Sequence, residues 1–98
     1  MKITKKQNGT ALEVAVEGRL DTVTAPEFEK EIMESIKGID ELTLDFANLE
    51  YISSAGLRVL LSAQKVMNQQ GSMKIVHVGE VIQEIFEVTG FSDILTIE

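Results

Sequence analysis

The sequence predicts an α/β fold in one domain, with a mixed, mostly parallel β-sheet of about five strands. Three observations predict it. Apolar and polar residues alternate near the N-terminus, three later segments repeat apolar residues every three or four positions, and apolar runs separate those segments. The predicted order is β-β-α-β-α-β-α-β, and the alternation of strands and helices favours parallel pairing through right-handed crossovers.

Two strands open the chain. Residues 3–6 are followed by the turn signal Asn8-Gly9 and then by residues 12–17, in which valine and leucine alternate with polar or small residues. The two strands therefore form a predicted hairpin with one buried face. The segment 18–21, Gly-Arg-Leu-Asp, interrupts this alternation and is predicted to end the second strand.

The first helix follows this segment. Thr24 is predicted to cap it, with Glu27 completing a capping box and Pro26 in the first turn, where its missing N–H is harmless. Gly38 is predicted to end the helix. Its buried stripe consists of Phe28, Ile32 and Ile36, with Met33 beside it.

The second half alternates strands and helices. Apolar residues at 42, 44 and 46 form a strand, and a helix runs from Ser54 to about Gln70, where Gly71 stops it. Residues 75–78 are nearly all apolar, which is typical of a strand buried on both faces. A third helix over 81–88 ends at Gly90, and residues 94–97 are predicted to form a last strand.

Composition limits the possible functions. The 98 residues fit one domain, and the absence of cysteine excludes disulfides, thiolate nucleophiles and cysteine-ligated zinc. The N-terminus lacks the apolar run of a signal peptide, and no stretch is long enough for a membrane span, so we expect a cytoplasmic protein. The net charge of −7 argues against nucleic acid and anionic lipid as partners.

A serine pair, Ser53-Ser54, lies between an apolar strand and the second helix. Serine at a helix start commonly caps it, and the N-terminus of a helix also favours an anionic group such as phosphate. A phosphoryl group on Ser54 would reach Arg58 one turn later. On a helical wheel the exposed strip consists of Ser54, Arg58, Ser62, Lys65 and Gln69.

Catalytic alternatives have weaker support. The single histidine, His77, lies within an apolar strand pattern and is badly placed to pair with either serine, and no Gly-x-Ser-x-Gly elbow is present. Acidic residues are spread over predicted exteriors without metal-ligand spacing, and no phosphate-binding glycine loop occurs. Asp45 ends a central strand as in response-regulator receivers, but their acidic pair and lysine are missing. We expect neither metal nor cofactor, and no enzyme.

Four segments resemble the STAS family of bacterial anti-sigma factor antagonists and related domains. The similarity extends over nearly the whole chain, residues 1–98, although each segment is weak alone. The segments are Gly-Arg-Leu-Asp at 18–21, the strand and turn at 44–52, Ser-Ser-Ala-Gly-Leu at 53–57 and Val-Thr-Gly-Phe at 88–91.

The resemblance implies a function. A family member of this type binds an anti-sigma factor, which is a serine kinase, and thereby releases a sigma factor. The kinase phosphorylates the serine that matches Ser54, which blocks binding, and a phosphatase restores it. The position before this serine is commonly aspartate in the family and is Ser53 here, so Ser53 is a second candidate phosphorylation site.

The predicted partner-binding surface combines the serine pair, the exposed helix strip and the loop after the second strand. We expect Asp21 to lie near the serines, because both follow strand ends. Two alternatives stay open: a STAS adaptor or sensor module that serine phosphorylation does not regulate, and a hydrolase using Ser54. We expect a monomer when free. The surface consists of Asp21, Thr22, Ser53, Ser54, Gly56, Arg58, Ser62 and Lys65.

Overall fold

The computed structural model describes residues 1–98 and contains five strands, three α-helices and one short 3-10 helix. The α/β class and the mixed five-stranded sheet are confirmed. No helix is long and apolar enough to cross a membrane. In chain order the elements are β1 (Lys2–Asn8), β2 (Ala11–Leu20), α1 (Ala25–Ser35), β3 (Glu41–Asp45), β4 (Leu49–Ile52), α2 (Ser54–Gln70), β5 (Ser72–Val76), α3 (Glu80–Thr89) and the 3-10 helix Phe91–Asp93.

The long strand β2 organises the sheet. It pairs with β1 in the predicted antiparallel hairpin, with β3 in parallel over residues 11–15, and with β4 in parallel over residues 18–20. β3 in turn pairs in parallel with β5. The carboxyl ends of β2 and β4 therefore lie side by side, immediately before α1 and α2.

One hydrophobic core lies between the sheet and the helices. On β2, β3 and β5 every second residue is buried, whereas the residues between them are exposed or half-buried. The predicted helix stripes are confirmed, since Phe28 and Ile32 of α1 and Leu57, Leu60 and Met67 of α2 are buried. The 24 buried apolar residues form a single cluster, as one domain core requires.

The strands differ from the sequence prediction in three places. β2 does not end at Gly18 but continues to Leu20 through a register shift between Gly18 and Arg19, and Gly18 accommodates it with φ +96°. This extension supplies the partner for β4, which the sequence did not predict. The last predicted strand, 94–97, is reduced to one parallel bridge between Ile75 and Ile97, and it follows a 3-10 helix over Phe91–Asp93.

Two local predictions were wrong. Thr24 does not cap α1 with its side chain, because its hydroxyl donates to the Arg19 carbonyl oxygen at 2.8 Å. β5 is not buried on both faces, since Lys74 is exposed between the buried Met73 and Ile75. His77 lies beyond the end of this strand, exposed and with φ +58°.

Candidate regulatory serine site

Ser53 is the N-cap of α2. Its backbone is extended, with φ −96° and ψ 175°, and its hydroxyl oxygen accepts a hydrogen bond from the Gly56 N–H at 3.4 Å. Its carbonyl oxygen accepts from the Leu57 N–H at 2.9 Å, which begins the helix. The Ser53 hydroxyl therefore satisfies one of the free N–H groups of the first turn, as a capping serine does.

Ser54 is the first residue of α2, and its side chain is exposed. Its hydroxyl makes no hydrogen bond within the chain, in contrast to that of Ser53. The first turn of a helix is also where an anionic group is favoured by the helix dipole and the N–H groups. Of the two serines, Ser54 is thus the accessible one.

Most of the predicted strip of α2 is exposed to solvent. Ser54, Arg58 and Lys65 are exposed, and Ser62 is half-buried. The opposite side of the helix is in the core, with Leu60, Ala63 and Met67 almost completely buried. The strip is therefore a continuous polar face that begins at Ser54.

The loop after β2 lies beside the serine pair, as predicted. The Ser53 N–H donates to the Leu20 carbonyl oxygen at 2.9 Å, so Asp21 follows directly on a residue that is bonded to the serine loop. The Asp21 carboxylate accepts hydrogen bonds from the backbone N–H groups of Val23, at 3.0 Å, and Thr24, at 3.1 Å. These bonds, that of Thr24 foremost, hold the pKa of Asp21 below its usual value.

Asp21 is therefore ionised at neutral pH and gives this loop a negative charge. Its hydrogen bonds fix the turn that leads into α1, where its carbonyl oxygen also accepts from the Ala25 N–H at 2.8 Å. The turn is thus held by Asp21 together with the Thr24 hydroxyl, which accepts from the Asp21 N–H at 2.9 Å, although Thr24 does not cap α1 as predicted.

A shallow groove separates the first turns of α1 and α2. It brings Thr22 of the β2–α1 loop onto the same surface as Arg58 of α2, two residues that are far apart in sequence. The predicted contact residues from both segments therefore share one face. The groove is lined by Thr22, Ala25, Pro26, Glu29, Ala55, Arg58 and Val59.

Gly56 is the predicted contact residue that the structure removes from the surface. It is buried, and a Cβ atom there would lie 2.8 Å from side-chain carbons of both Leu20 and Ile52 and 3.0 Å from the Leu20 carbonyl oxygen. Such distances are too short for a real side chain. Glycine at this position therefore allows α2 to begin close against the ends of β2 and β4.

Sequence reasoning missed an aromatic–cation pair next to the serines. The Arg19 guanidinium carbon lies 4.5 Å from the centroid of the Tyr51 ring, and its Nε lies 3.8 Å from an Asp21 carboxylate oxygen. Arg19 and Tyr51 face each other in the register of β2 and β4. Because β4 was not predicted, no sequence signal could bring these two residues together.

The single histidine is paired elsewhere. His77 Nδ1 lies 3.1 Å from the Asp45 carboxylate, which also accepts from the Ala47 N–H at 2.9 Å. The Ala47 bond and the neighbouring His77 lower the pKa of Asp45. His77 hydrogen-bonds to neither serine, so the geometry offers Ser54 no general base, and no group of three or more potential metal ligands occurs.

Relatives and solved structures with similar sequences or folds include bacterial anti-sigma factor antagonists. The STAS domain family model matches residues 2–98. BtrV of Bordetella bronchiseptica, named as a candidate anti-sigma factor antagonist, is 33% identical over 99 residues, which cover 99% of this chain and 85% of that protein. The anti-sigma-B factor antagonist of Bacillus subtilis is 28% identical over 93 residues, covering 94% of this chain and 85% of that protein.

Solved structures share the fold at lower identity. An anti-sigma factor antagonist from Mycobacterium paratuberculosis superposes with a TM-score of 0.89 at 22% identity, covering 98% of this chain and 83% of that one. The Bacillus protein SpoIIAA in its phosphorylated form superposes with a TM-score of 0.77 at 13% identity, covering 99% and 91%. Together with the family match over almost the whole length, these likenesses show that the chain belongs to the STAS domain family.

Proposed function

We propose that this chain is an anti-sigma factor antagonist that is switched at Ser54. Unphosphorylated, it binds an anti-sigma factor serine kinase and so releases a sigma factor. Phosphorylation of Ser54 ends the binding, and a phosphatase restores it. The names of the relatives from Bordetella and Bacillus support the antagonist role, and the phosphorylated form of SpoIIAA gives a precedent for phosphate on this fold.

One observation supports Ser54, and not Ser53, as the phosphorylated residue. The hydroxyl of Ser53 is engaged with the Gly56 N–H, whereas Ser54 is exposed at the first position of α2 and its hydroxyl is unbonded. A kinase must draw the acceptor hydroxyl into its own site, and only an accessible hydroxyl permits this without breaking a cap. The structure thus supports Ser54 as the acceptor over Ser53.

The position of Ser54 also explains how phosphate would act as a switch. A phosphoryl group adds about 1.5 to 2 negative charges at neutral pH and is tolerated at a helix N-terminus. The fold would therefore persist. The new charge would stand on the surface that holds Arg58 and adjoins the ionised Asp21 loop, and a closely packed partner would have to desolvate it.

Serine at position 53 is compatible with this switch. Aspartate and serine are both strong N-caps, so Ser53 retains the capping hydrogen bond that the family's more common aspartate would also make. What the exchange removes is a negative charge beside the acceptor. We therefore expect the shape of the site to be retained and the rate of phosphorylation to be the property that differs.

The proposal is tested by capture from a lysate of the source cells with three tagged variants. Ser54→Ala is expected to retain a small ATP-binding kinase, and Ser54→Asp is expected to lose it. Ser72→Asp is the matched control, because Ser72 is an exposed serine at the opposite edge of the sheet, where β5 begins. This variant adds the same charge but should still retain the kinase.

Two other outcomes would contradict the proposed switch or the control. Retention of the same proteins by Ser54→Ala and Ser54→Asp would contradict the switch and favour a STAS adaptor or sensor module that phosphorylation does not regulate. Loss of the kinase with Ser72→Asp as well would show a general effect of net charge. Circular dichroism of all three variants shows whether each one is folded.

A further inference from the structure

The outer side of α3 carries an apolar row that nothing in the chain covers. Val81 is 59% exposed and Val88 is 80% exposed, and the half-buried Ile85 lies between them on the same side of the helix. The three residues, with Glu84 and Thr89, line one shallow depression. Single exposed apolar side chains are ordinary, whereas two valines and an isoleucine on consecutive turns form a continuous apolar surface.

An acidic row runs beside this apolar row. Glu80, Glu84 and Glu87 recur at the same helical spacing, all three are exposed, and none belongs to an ion pair. α3 contains no lysine or arginine. Successive residues of a helix are separated by about 100°, so the acidic row lies on one flank of the apolar row, with the buried Ile82 and Phe86 on the other side.

We propose that this face of α3, the Val81–Val88 apolar row with its acidic flank, docks a basic amphipathic helix of a partner protein. An apolar stripe would cover the valines, and lysines or arginines on one side of it would meet the glutamates. Such helix-on-helix recognition uses anchors at the spacing found here. This surface is distinct from the Ser54 strip of α2, and the inference does not depend on the proposed phosphorylation.

Charge argues for this occupant over two others. A second copy of the chain would bring another row of three glutamates to the contact, and each copy already has a net charge of −7. A membrane with anionic lipids would be repelled by the same acidic flank. A partner with adjacent apolar and basic side chains complements both rows at once.

The test uses a synthetic helical peptide with a leucine stripe flanked by lysines and nitrogen-15-labelled protein. Binding is expected to shift amide signals mainly within residues 80–89. Val88→Ser, which changes no charge, is expected to weaken binding roughly fivefold to tenfold, because one exposed valine is no longer buried. Val23→Ser is the matched control, since Val23 is 85% exposed but lies outside α3, and it should leave the affinity unchanged.

Two further comparisons make the result decisive. A peptide with glutamate in place of lysine should bind far more weakly, and Glu84→Gln with Glu87→Gln should reduce the salt dependence of binding. The proposal is overturned if the lysine peptide shifts signals outside α3, if Val88→Ser binds it as tightly as the original protein, or if sedimentation shows a dimer that Val88→Ser abolishes.

Discussion

The backbone N–H of Ser53 donates to the carbonyl oxygen of Leu20 at 2.9 Å, and this bond joins the end of β2 to the start of α2. It holds the loop that contains Asp21 next to the serine pair. Leu20 and Ile52 are also partners in the pairing of β2 with β4, so the serine pair directly follows a paired strand end. The proposed switch therefore lies directly beside paired strand ends, and we expect phosphorylation to change its charge while the fold persists.

Replacement of Gly56 tests this close approach. Gly56→Ala places a methyl group 2.8 Å from Leu20 and Ile52 carbons, and we expect it to destabilise the domain. Overpacking of a core costs about 1–3 kcal/mol, which exceeds the roughly 1 kcal/mol by which alanine favours a helix over glycine. Urea denaturation measures the difference. Gly79→Ser is the control: nothing lies near that position, and serine at this N-cap of α3 should keep or slightly raise stability. Unchanged stability of Gly56→Ala would contradict the close packing.

The cap on α2 predicts a graded series at position 53. Ser53→Ala removes the acceptor for the Gly56 N–H and should lower the free energy of unfolding by about 0.5–1 kcal/mol, the low end of the capping range for this 3.4 Å bond. Ser53→Asp should restore or exceed the original stability, since aspartate caps well and favours the helix dipole. Thermal unfolding of the three proteins checks the order. Equal stability of the alanine and serine forms would show that the cap contributes nothing.

Arg58 tests whether the exposed strip of α2 is the docking face. Arg58→Glu should weaken binding to the captured kinase by at least about fivefold, which corresponds to about 1 kcal/mol. Lys74→Glu makes the same change of charge on the exposed side of β5, away from the helices, and should bind normally. Isothermal titration with the purified kinase gives both affinities. If the two variants bind equally, the strip is not the contact surface.

The Asp45 carboxylate predicts a stability that depends on pH. Its folded-state pKa is lowered, first by the Ala47 N–H and then by His77, so its contribution is present above the unfolded pKa of about 3.9 and is lost as pH falls through the folded pKa. Asp45→Asn keeps an acceptor for Ala47 but cannot ionise. We expect the stability difference between the two proteins to shrink below about pH 4. A stability difference that does not change with pH would contradict this role of the ionised carboxylate.

Periodicity was enough to predict the helices and the hairpin. Phe28, Ile32 and Ile36 mark the buried side of α1 and its continuation, and Gly71 and Gly90 follow the ends of α2 and α3 as expected. These features depend on residues close in sequence, so a local pattern records them. The exposed strip of α2 was predictable for the same reason.

Long-range pairing explains what the sequence did not reveal. Residues 49–52 lack the alternation of a half-buried strand, and they become β4 only because β2 continues past its bulge at Gly18. The Arg19–Tyr51 contact depends on that pairing. His77 looked like part of a strand because its neighbours are apolar, but its positive φ ends the strand before it. The sequence also could not show which serine caps α2 and which one is free, because that depends on the backbone geometry at the start of the helix.

The measurement that tests the central claim most directly is the position of the phosphate. The captured kinase and ATP are incubated with the original protein, Ser53→Ala and Ser54→Ala, and tandem mass spectrometry locates the modified residue. We expect phosphate on Ser54 in the first two proteins and none in Ser54→Ala, and we expect the phosphorylated protein to release the kinase. Phosphate on Ser53, or a phosphorylated Ser54 that still binds the kinase, would contradict the account.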